Sequence, residues 1–449
     1  MAKTNVPRMS IHTHEGARAQ RINPEQQLRR SVMACMLWEK EFYEDGQTIA
    51  ARIADIIPHV PPVEVACIAA EARKQMKLRH VPLLITREMA RLPRHKPYVA
   101  HTLSRVIERA DELAEFVSLY WRDGKQPLSA QVKRGLASAF TKFNAYQLAK
   151  YNRDGAVKLR DVLFLCHAKP KDAAQAETWK KLVDGTLEPP DTWEVALSSG
   201  HDKKDTWERM LRENKLGGLA LLRNLRNMEQ VNVNPWLIAE CIASMNTSRI
   251  LPFRFIAAAR YAPQLEPALE GAMLKCLADK PRLEGTTVIL VDVSGSMFYP
   301  ISEKSDMLRT DAACGVAMCG RELCESVDVR TFSNSLVRIP ARRGFALRDA
   351  IVGSQPNSGT YLGEAVRTIG HEVEYDRLIV ITDEQSHDPV PAPKGRGYMI
   401  NVASNQNGVG YGAWHHIDGW SEAVLNYITE VENGTIPQSE TDAEREGAA

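Results

Sequence analysis

The chain has 449 residues, 44% hydrophobic and 25% charged, with 57 basic side chains against 56 acidic ones. This is ordinary globular composition on a chain too long for one core, so collagen-like and globally disordered classes are excluded and two or three domains are expected. Apolar runs such as Val288-Ile289-Leu290-Val291 fall far short of the ~20 residues that a membrane span needs.

Charge is unevenly placed. Residues 1–280 carry 43 basic and 32 acidic side chains, and residues 281–449 carry 14 and 24. The window 71–160 alone holds 19 basic and 8 acidic residues. A basic first part implies an anionic partner, nucleic acid among the choices, or else a plain solvated basic face.

Residues 1–23 read as a flexible arm. Their polar sequence MAKTNVPRMSIHTHEGARAQR has neither the apolar core nor the cleavage pattern of a secretory signal, and points to the cytoplasm. Cys35, Cys67, Cys166, Cys241, Cys276, Cys314, Cys319 and Cys324 include no C-x-x-C pair and read as reduced, mostly buried thiols.

From residue 24 to 280 the pattern is helical. Val63, Ala66, Cys67 and Ala70 repeat at three to four, and Ser129 opens a stretch with Val132, Leu136, Phe140, Phe143 and Tyr146 on one side. Lys133, Arg134 and Lys142 lie on the flank and back of that projection, free for solvent or phosphate. Prolines from Pro58 to Pro263 mark where short helices stop. Many short helices with little strand alternation predict an all-α, HEAT-like array of helix pairs, although no strict period is visible.

At Gly285 the pattern changes. TTVILVDVSGSM, VDVRTFS, LVRIP, RLIVITDEQ and YMINVA read as strands alternating with helices near 308–325, 345–353, from 361, and 421–431. Residues 281–435 therefore form an α/β doubly wound domain, followed by a disordered acidic tail over 436–449.

The strand ends bring hard oxygen donors to one end of that sheet. Asp292, Ser294 and Ser296 alternate in the first loop, Thr360 follows Ser358-Gly359, and Asp383 follows Leu378–Ile381. Two carboxylates and three hydroxyls suit Mg²⁺ or another small divalent cation such as Mn²⁺. This D-x-S-x-S pattern with a distant Thr and Asp resembles the metal-ion-dependent adhesion site (MIDAS) of von Willebrand factor A domains. The resemblance implies direct bonds from Ser294, Ser296 and Thr360, with Asp292 and Asp383 acting largely through water. It also implies non-catalytic binding. No G-x-S-x-G nucleophile is present, and two carboxylates are few for a two-metal nuclease.

Three stretches in the helical part, EARKQMKLRHVPLLI, QVKRGLASAFTKFNAYQLAKYNRDGAVKLRDVLFLCHAKP and LGGLALLRNLRNM, resemble the TROVE domain of the Ro ribonucleoprotein family. That resemblance runs over roughly residues 24–430 and is weakest at the tails and over 190–210. It implies a helical-repeat ring closed with help from the A domain. The outer basic surface would bind small non-coding Y-like RNA, and the hole would take single-stranded 3′ ends of misfolded RNA, in RNA quality control or processing. Lys150 and His167 match family positions that contact Y RNA.

Read on their own, Lys150 is also a snorkelling lysine at a helix end, and His167 a half-buried capping histidine. Arg153, Lys158, Arg160 and Lys169 extend the basic surface, and Arg73, Lys74, Lys77, Arg79, Arg87, Arg91 and Arg94 are further phosphate contacts. Arg223 and Arg226 share a helix face and are either structural or ring-lining. Gly408–Gly412 only superficially resembles a phosphate loop, and His415-His416 reads as loop surface. The rival function is a metal-dependent protein-binding module whose MIDAS captures an acidic residue of a partner, a nuclease or another protein.

Overall fold

The computed structural model describes residues 12–13, 15–17, 23–34, 46–74, 76, 78–152, 154–198, 200, 202–247, 250, 253–278, 282–301, 306–403, 407–419 and 423–432. Cys35, Lys77, Arg153 and the tail 436–449 lie outside the described residues. The chain divides into two compact units, one of residues 23–38 and 46–202, the other of 1–22, 39–45 and 203–449. Among the described residues, sixteen α-helices lie between Pro24 and Lys275, so the second unit holds the last five of these together with the whole sheet. No helix of the described residues is long and apolar enough to cross a membrane.

In the first unit, helices two apart in sequence stack on one another. Pro62–Lys74 packs on Lys96–Val106, that helix on Ala130–Phe140, and that one on Leu159–Cys166. This is the packing of a helical-repeat array. Its core includes Val99, Leu103, Val132, Leu136 and Phe140, all fully buried, each contributing about 1.5–3 kcal/mol of transfer free energy. Gly135 permits the closest approach, since a Cβ there would lie 2.9 Å from Leu103 Cβ and 3.0 Å from the Ala100 carbonyl. Several prolines open helices instead of ending them: Pro62 and Pro235 are first residues, and Pro82 and Pro97 sit in the first turn. There the missing N–H has no intrahelical partner to lose.

The stretch from Ser129 is two helices, not one. Ala130–Phe140 ends, and Asn144 starts Ala145–Tyr151 with a capping box: its Oδ1 accepts the Gln147 N–H at 2.9 Å while Gln147 Oε1 accepts the Asn144 N–H at 3.1 Å. Reciprocal capping is worth more to the chain than continuing the helix through Thr141–Phe143. Tyr146 consequently leaves the apolar stripe and is exposed.

The basic excess of the 71–160 window is partly neutralised inside the unit. Arg73 is buried on Glu112 at 2.7 Å, Arg79 reaches Asp111 at 2.7 Å, Arg87 is buried against Glu88 and Asp123, and Arg91 shares Asp123. Arg73 and Arg87 are buried in these ion pairs and are not the phosphate contacts expected of them, whereas Lys74, Arg91 and Arg94 remain exposed.

In the second unit the strands are β1 (Leu283–Asp292), β2 (Cys324–Phe332), β3 (Leu336–Arg338), β4 (Arg377–Thr382), β5 (Arg396–Asn401) and β6 (His415–Asp418). Their order is β3-β2-β1-β4-β5-β6, parallel except for β3, which runs antiparallel to β2. β1 and β4 are central and buried on both faces, as their β-branched runs require. Val288 and Leu290 pack toward Leu362, Val366 and Ile369, and Ile289 approaches Gly320 of helix Arg309–Leu323 on the other face. The connections diverge between β1 and β4, and that switch point opens a crevice at the strands' carboxyl ends.

Candidate metal centre and basic surface

Three loops converge at that crevice. Asp292, the last residue of β1, is fully buried; its Oδ1 accepts the Ser294 N–H at 2.8 Å and its Oδ2 the Thr382 hydroxyl at 2.5 Å. Ser294 Oγ and Ser296 Oγ lie 3.3 Å apart in the next turn. The Gly295 N–H donates to the Ser358 carbonyl at 3.2 Å and draws in the loop that carries buried Thr360. Asp383, fully buried after β4, has its Oδ2 3.5 Å from Arg309 Nη1. The same guanidinium nitrogen donates to the Ser296 carbonyl at 3.4 Å. All five expected oxygen donors thus gather at one end of the sheet.

The electrostatics of this set favour a cation. Burial, and then the charge of Asp383, push the Asp292 carboxyl up to about 7 against the hydrogen bonds from Ser294 and Thr382. Two carboxylates out of water repel each other, and a small hard ion on oxygen donors would relieve the repulsion. The residues present therefore fit Mg²⁺ or Mn²⁺. Among the described residues no three His, Cys, Asp or Glu side chains form a metal-binding group, so such an ion would depend on the hydroxyls of Ser294, Ser296 and Thr360.

A flanking cluster was invisible in the sequence. His387 Nδ1 accepts the Thr360 N–H at 3.1 Å, its Nε2 lies 3.1 Å from Glu15 Oε2, and its ring stacks on Tyr361 at 5.2 Å. Thr13 Oγ1 donates to the Ser386 carbonyl at 2.8 Å and Asn407 Nδ2 to the His12 carbonyl at 3.1 Å. Part of the arm expected to be flexible is thus tied down beside Thr360, with Thr13 and Ala17 buried. Nor is His415-His416 loop surface. It forms β6, and His416 is half-buried with its Nε2 on Glu384 Oε1, its Nδ1 3.6 Å from Asp418 and its ring 4.0 Å from Tyr411. Gly410 must be glycine, because a Cβ would meet Met399 Cγ at 2.4 Å and Glu384 Oε1 at 2.8 Å.

The basic residues of the first unit differ in availability. Arg134, Arg160, His167 and Lys169 are exposed, and Lys133 and Lys158 half-buried, Lys158 pairing with Asp154 at 2.7 Å. Lys150 is half-buried, 3.9 Å from Glu194. His167 ends helix Leu159–Cys166 in the left-handed region at φ 54° and points to solvent, so it is a cap without being half-buried. Lys142 is a correction: it lies beyond its helix, and its ammonium donates to the Ser104 carbonyl and, at 3.0 Å, to that of Ile107. It caps the end of helix Lys96–Val106 while the residue itself stays exposed.

Aromatic residues stand among these charges. Phe164 is 60% exposed one turn after Arg160, and Tyr146 is 49% exposed one turn before Lys150. In the second unit Trp236 is 84% exposed in the first turn of helix Pro235–Ser244. Arg254 sits half-buried on the neighbouring helix Phe253–Tyr261, where burial and then the charge of Arg223 lower its pKa. Arg226 lies 5.4 Å from the Tyr261 ring centroid. The only sequence signal for these aromatics was a large ring on an otherwise polar helix face.

Fold and site together define a class: a helical array followed by a doubly wound α/β domain, with hard oxygen donors at its switch point. The TROVE domain profile matches residues 183–301. That segment contains LGGLALLRNLRNM and also the stretch 190–210, where the resemblance read weakest. The crystal structure of the Ro (RSR) protein of Deinococcus radiodurans matches with a TM-score of 0.60 at 18% identity, over 92% of this chain and 100% of that one. No curated protein matches. Residues 183–301 are thus similar to the TROVE domain, and the chain shares the fold of the Ro protein.

Proposed function

We propose that this chain is a non-catalytic, cytoplasmic RNA-binding protein of the Ro kind, acting in RNA quality control or processing. The observation that carries the reading is the pair of exposed rings on helices Ala145–Tyr151 and Leu159–Cys166, Tyr146 one turn from Lys150 and Phe164 one turn from Arg160 and His167. A merely solvated face needs no large rings, whereas RNA uses rings to stack unpaired bases and cations to hold phosphates. Small structured Y-like RNA is the proposed ligand there. Single-stranded 3′ ends are assigned to the helix that carries Trp236, whose 84% exposed ring is able to stack an unpaired base. The resemblance to Ro proteins supports both assignments.

The metal centre is the second part of the proposal. Ser294, Ser296 and Thr360 would hold Mg²⁺ or Mn²⁺, with Asp292 and Asp383 behind them. The ion supplies a Lewis-acid position able to take an acidic oxygen from a protein partner.

The test is binding of a stem with a 3′ tail, the same stem blunt-ended, and a duplex DNA, across a salt series. Tail-dependent binding with a steep salt slope is expected. Lys150→Ala with His167→Ser should weaken stem binding, and Trp236→Ala should remove the advantage of the tail, about 1–3 kcal/mol for one lost stacking contact. Equal weak binding to all three nucleic acids would overturn the reading.

A further inference from the structure

Arg309 is 2% exposed, the first residue of helix Arg309–Leu323, and its guanidinium lies inside the candidate metal centre. Nη1 is 3.5 Å from Asp383 Oδ2 and 3.4 Å from the carbonyl of Ser296. Its position is fixed from both sides: the Arg309 N–H donates to the Tyr299 carbonyl at 3.1 Å, and the neighbouring Thr310 hydroxyl to the Met297 carbonyl at 2.6 Å. A buried arginine is retained only where it answers a buried negative charge. Here that charge is the Asp292–Asp383 pair, the same two carboxylates that a divalent ion would need.

We propose that Arg309 is a built-in counter-cation of this centre, and that a divalent ion binds in competition with it. Resting on the metal reading of the same site, this makes Arg309 the residue that sets how tightly the ion is held. With the guanidinium beside Asp383 the carboxylate pair is half neutralised without any ion. An incoming ion must either displace the guanidinium from Asp383 or share the carboxylates with a like charge a few ångströms away. Either way the centre folds without metal and binds it more weakly than its donors alone would allow.

The experiment compares Mn²⁺ binding, followed by electron paramagnetic resonance, in the wild-type chain, Arg309→Met and Arg309→Lys. Removing a like charge at this range should tighten Mn²⁺ in Arg309→Met by about tenfold or more, while Arg309→Lys stays near wild type. In EDTA, Arg309→Met should melt below wild type, and saturating Mn²⁺ should close the gap. In the wild type, Mg²⁺ should shift the Arg309 side-chain ¹⁵Nε resonance, a readout that needs no variant. Unchanged or weaker Mn²⁺ binding by Arg309→Met, or an Arg309 resonance unmoved by Mg²⁺ in a wild type that binds Mn²⁺, overturns the role of Arg309 and leaves the metal reading standing. No Mn²⁺ binding by any of the three chains overturns both.

Discussion

Arg377 and Glu432, each less than a tenth exposed, tie the last helix, Ala423–Glu432, to the sheet. Arg377 Nε donates to Glu432 at 2.8 Å and its Nη1 to Thr287 Oγ1 at 2.8 Å, while the Tyr398 hydroxyl donates to Glu432 at 3.1 Å. Burial raises the Glu432 pKa, but Arg377, with Tyr398 and Arg396, more than reverses this and leaves it below its ordinary value of 4.5. Glu432→Gln should therefore cost about 3–5 kcal/mol at pH 7, because it leaves a buried guanidinium without its charge partner. A group whose folded pKa is depressed contributes fully above its unfolded pKa and loses that contribution as pH falls through the folded value. Urea melts of wild type and variant should accordingly converge as pH drops below about 4.5; a gap that stays constant into acid would show that the pair's charge is not what stabilises this corner. The same scale separates what sequence could reveal from what it could not. Asp292, Ser294 and Ser296 sit two apart in one loop, so their common side follows from strand geometry alone. Arg309 and Asp383 are 74 positions apart and Glu384 and His416 are 32 apart, and only the sheet order brings each pair together.

Elements were legible where local signals agreed. The β-branched runs of β1 and β4 admit little but buried parallel strands, and their loops carry the oxygen donors that such strands present at their carboxyl ends. β6 was missed because four residues, two of them histidine, carry no hydrophobic alternation; only Ile417 is buried, and His416 is held by Glu384 and Tyr411. The helix drawn through residues 129–150 failed for a related reason: apolar spacing persists across the break, and the capping box outweighs it. That box is testable. Asn144→Ala should cost about 1 kcal/mol of stability and raise amide exchange over Ala145–Tyr151 with little change in Ala130–Phe140. Exchange rising equally in both helices would mean that they form one cooperative rod after all. Since Tyr146 and Lys150 ride on the shorter helix, the same variant should weaken stem RNA binding without touching a residue proposed to contact it.

At the scale of the whole chain, the charge split and the compact units do not coincide. Basic character fades near residue 280, where strands begin, but the second unit starts at residue 203. The reason lies in polar contacts that neither composition nor periodicity records. Glu270 accepts the Phe345 N–H at 2.7 Å, Glu266 pairs with Arg348 at 3.1 Å, and Arg260 pairs with Asp311 at 2.7 Å, so helices Phe253–Tyr261 and Glu266–Lys275 are stitched to the sheet's own helices. Gly344, at φ 52°, is part of the seam: a Cβ there would fall 2.0 Å from the Glu270 carboxylate. A fragment of residues 203–449 should then unfold as one cooperative transition in calorimetry. A fragment of 281–449 loses at least these three charge-assisted hydrogen bonds, of about 1.5 kcal/mol each, along with those of Arg260 and Tyr261 to Asp306. At about 2–4 °C per kcal/mol for this size, it should melt roughly 10 °C lower. Equal melting temperatures would assign helices 203–275 to the rest of the helical array. A separation of the expected size would instead make helix Pro235–Ser244, which carries Trp236, part of the same folding unit as the candidate metal centre.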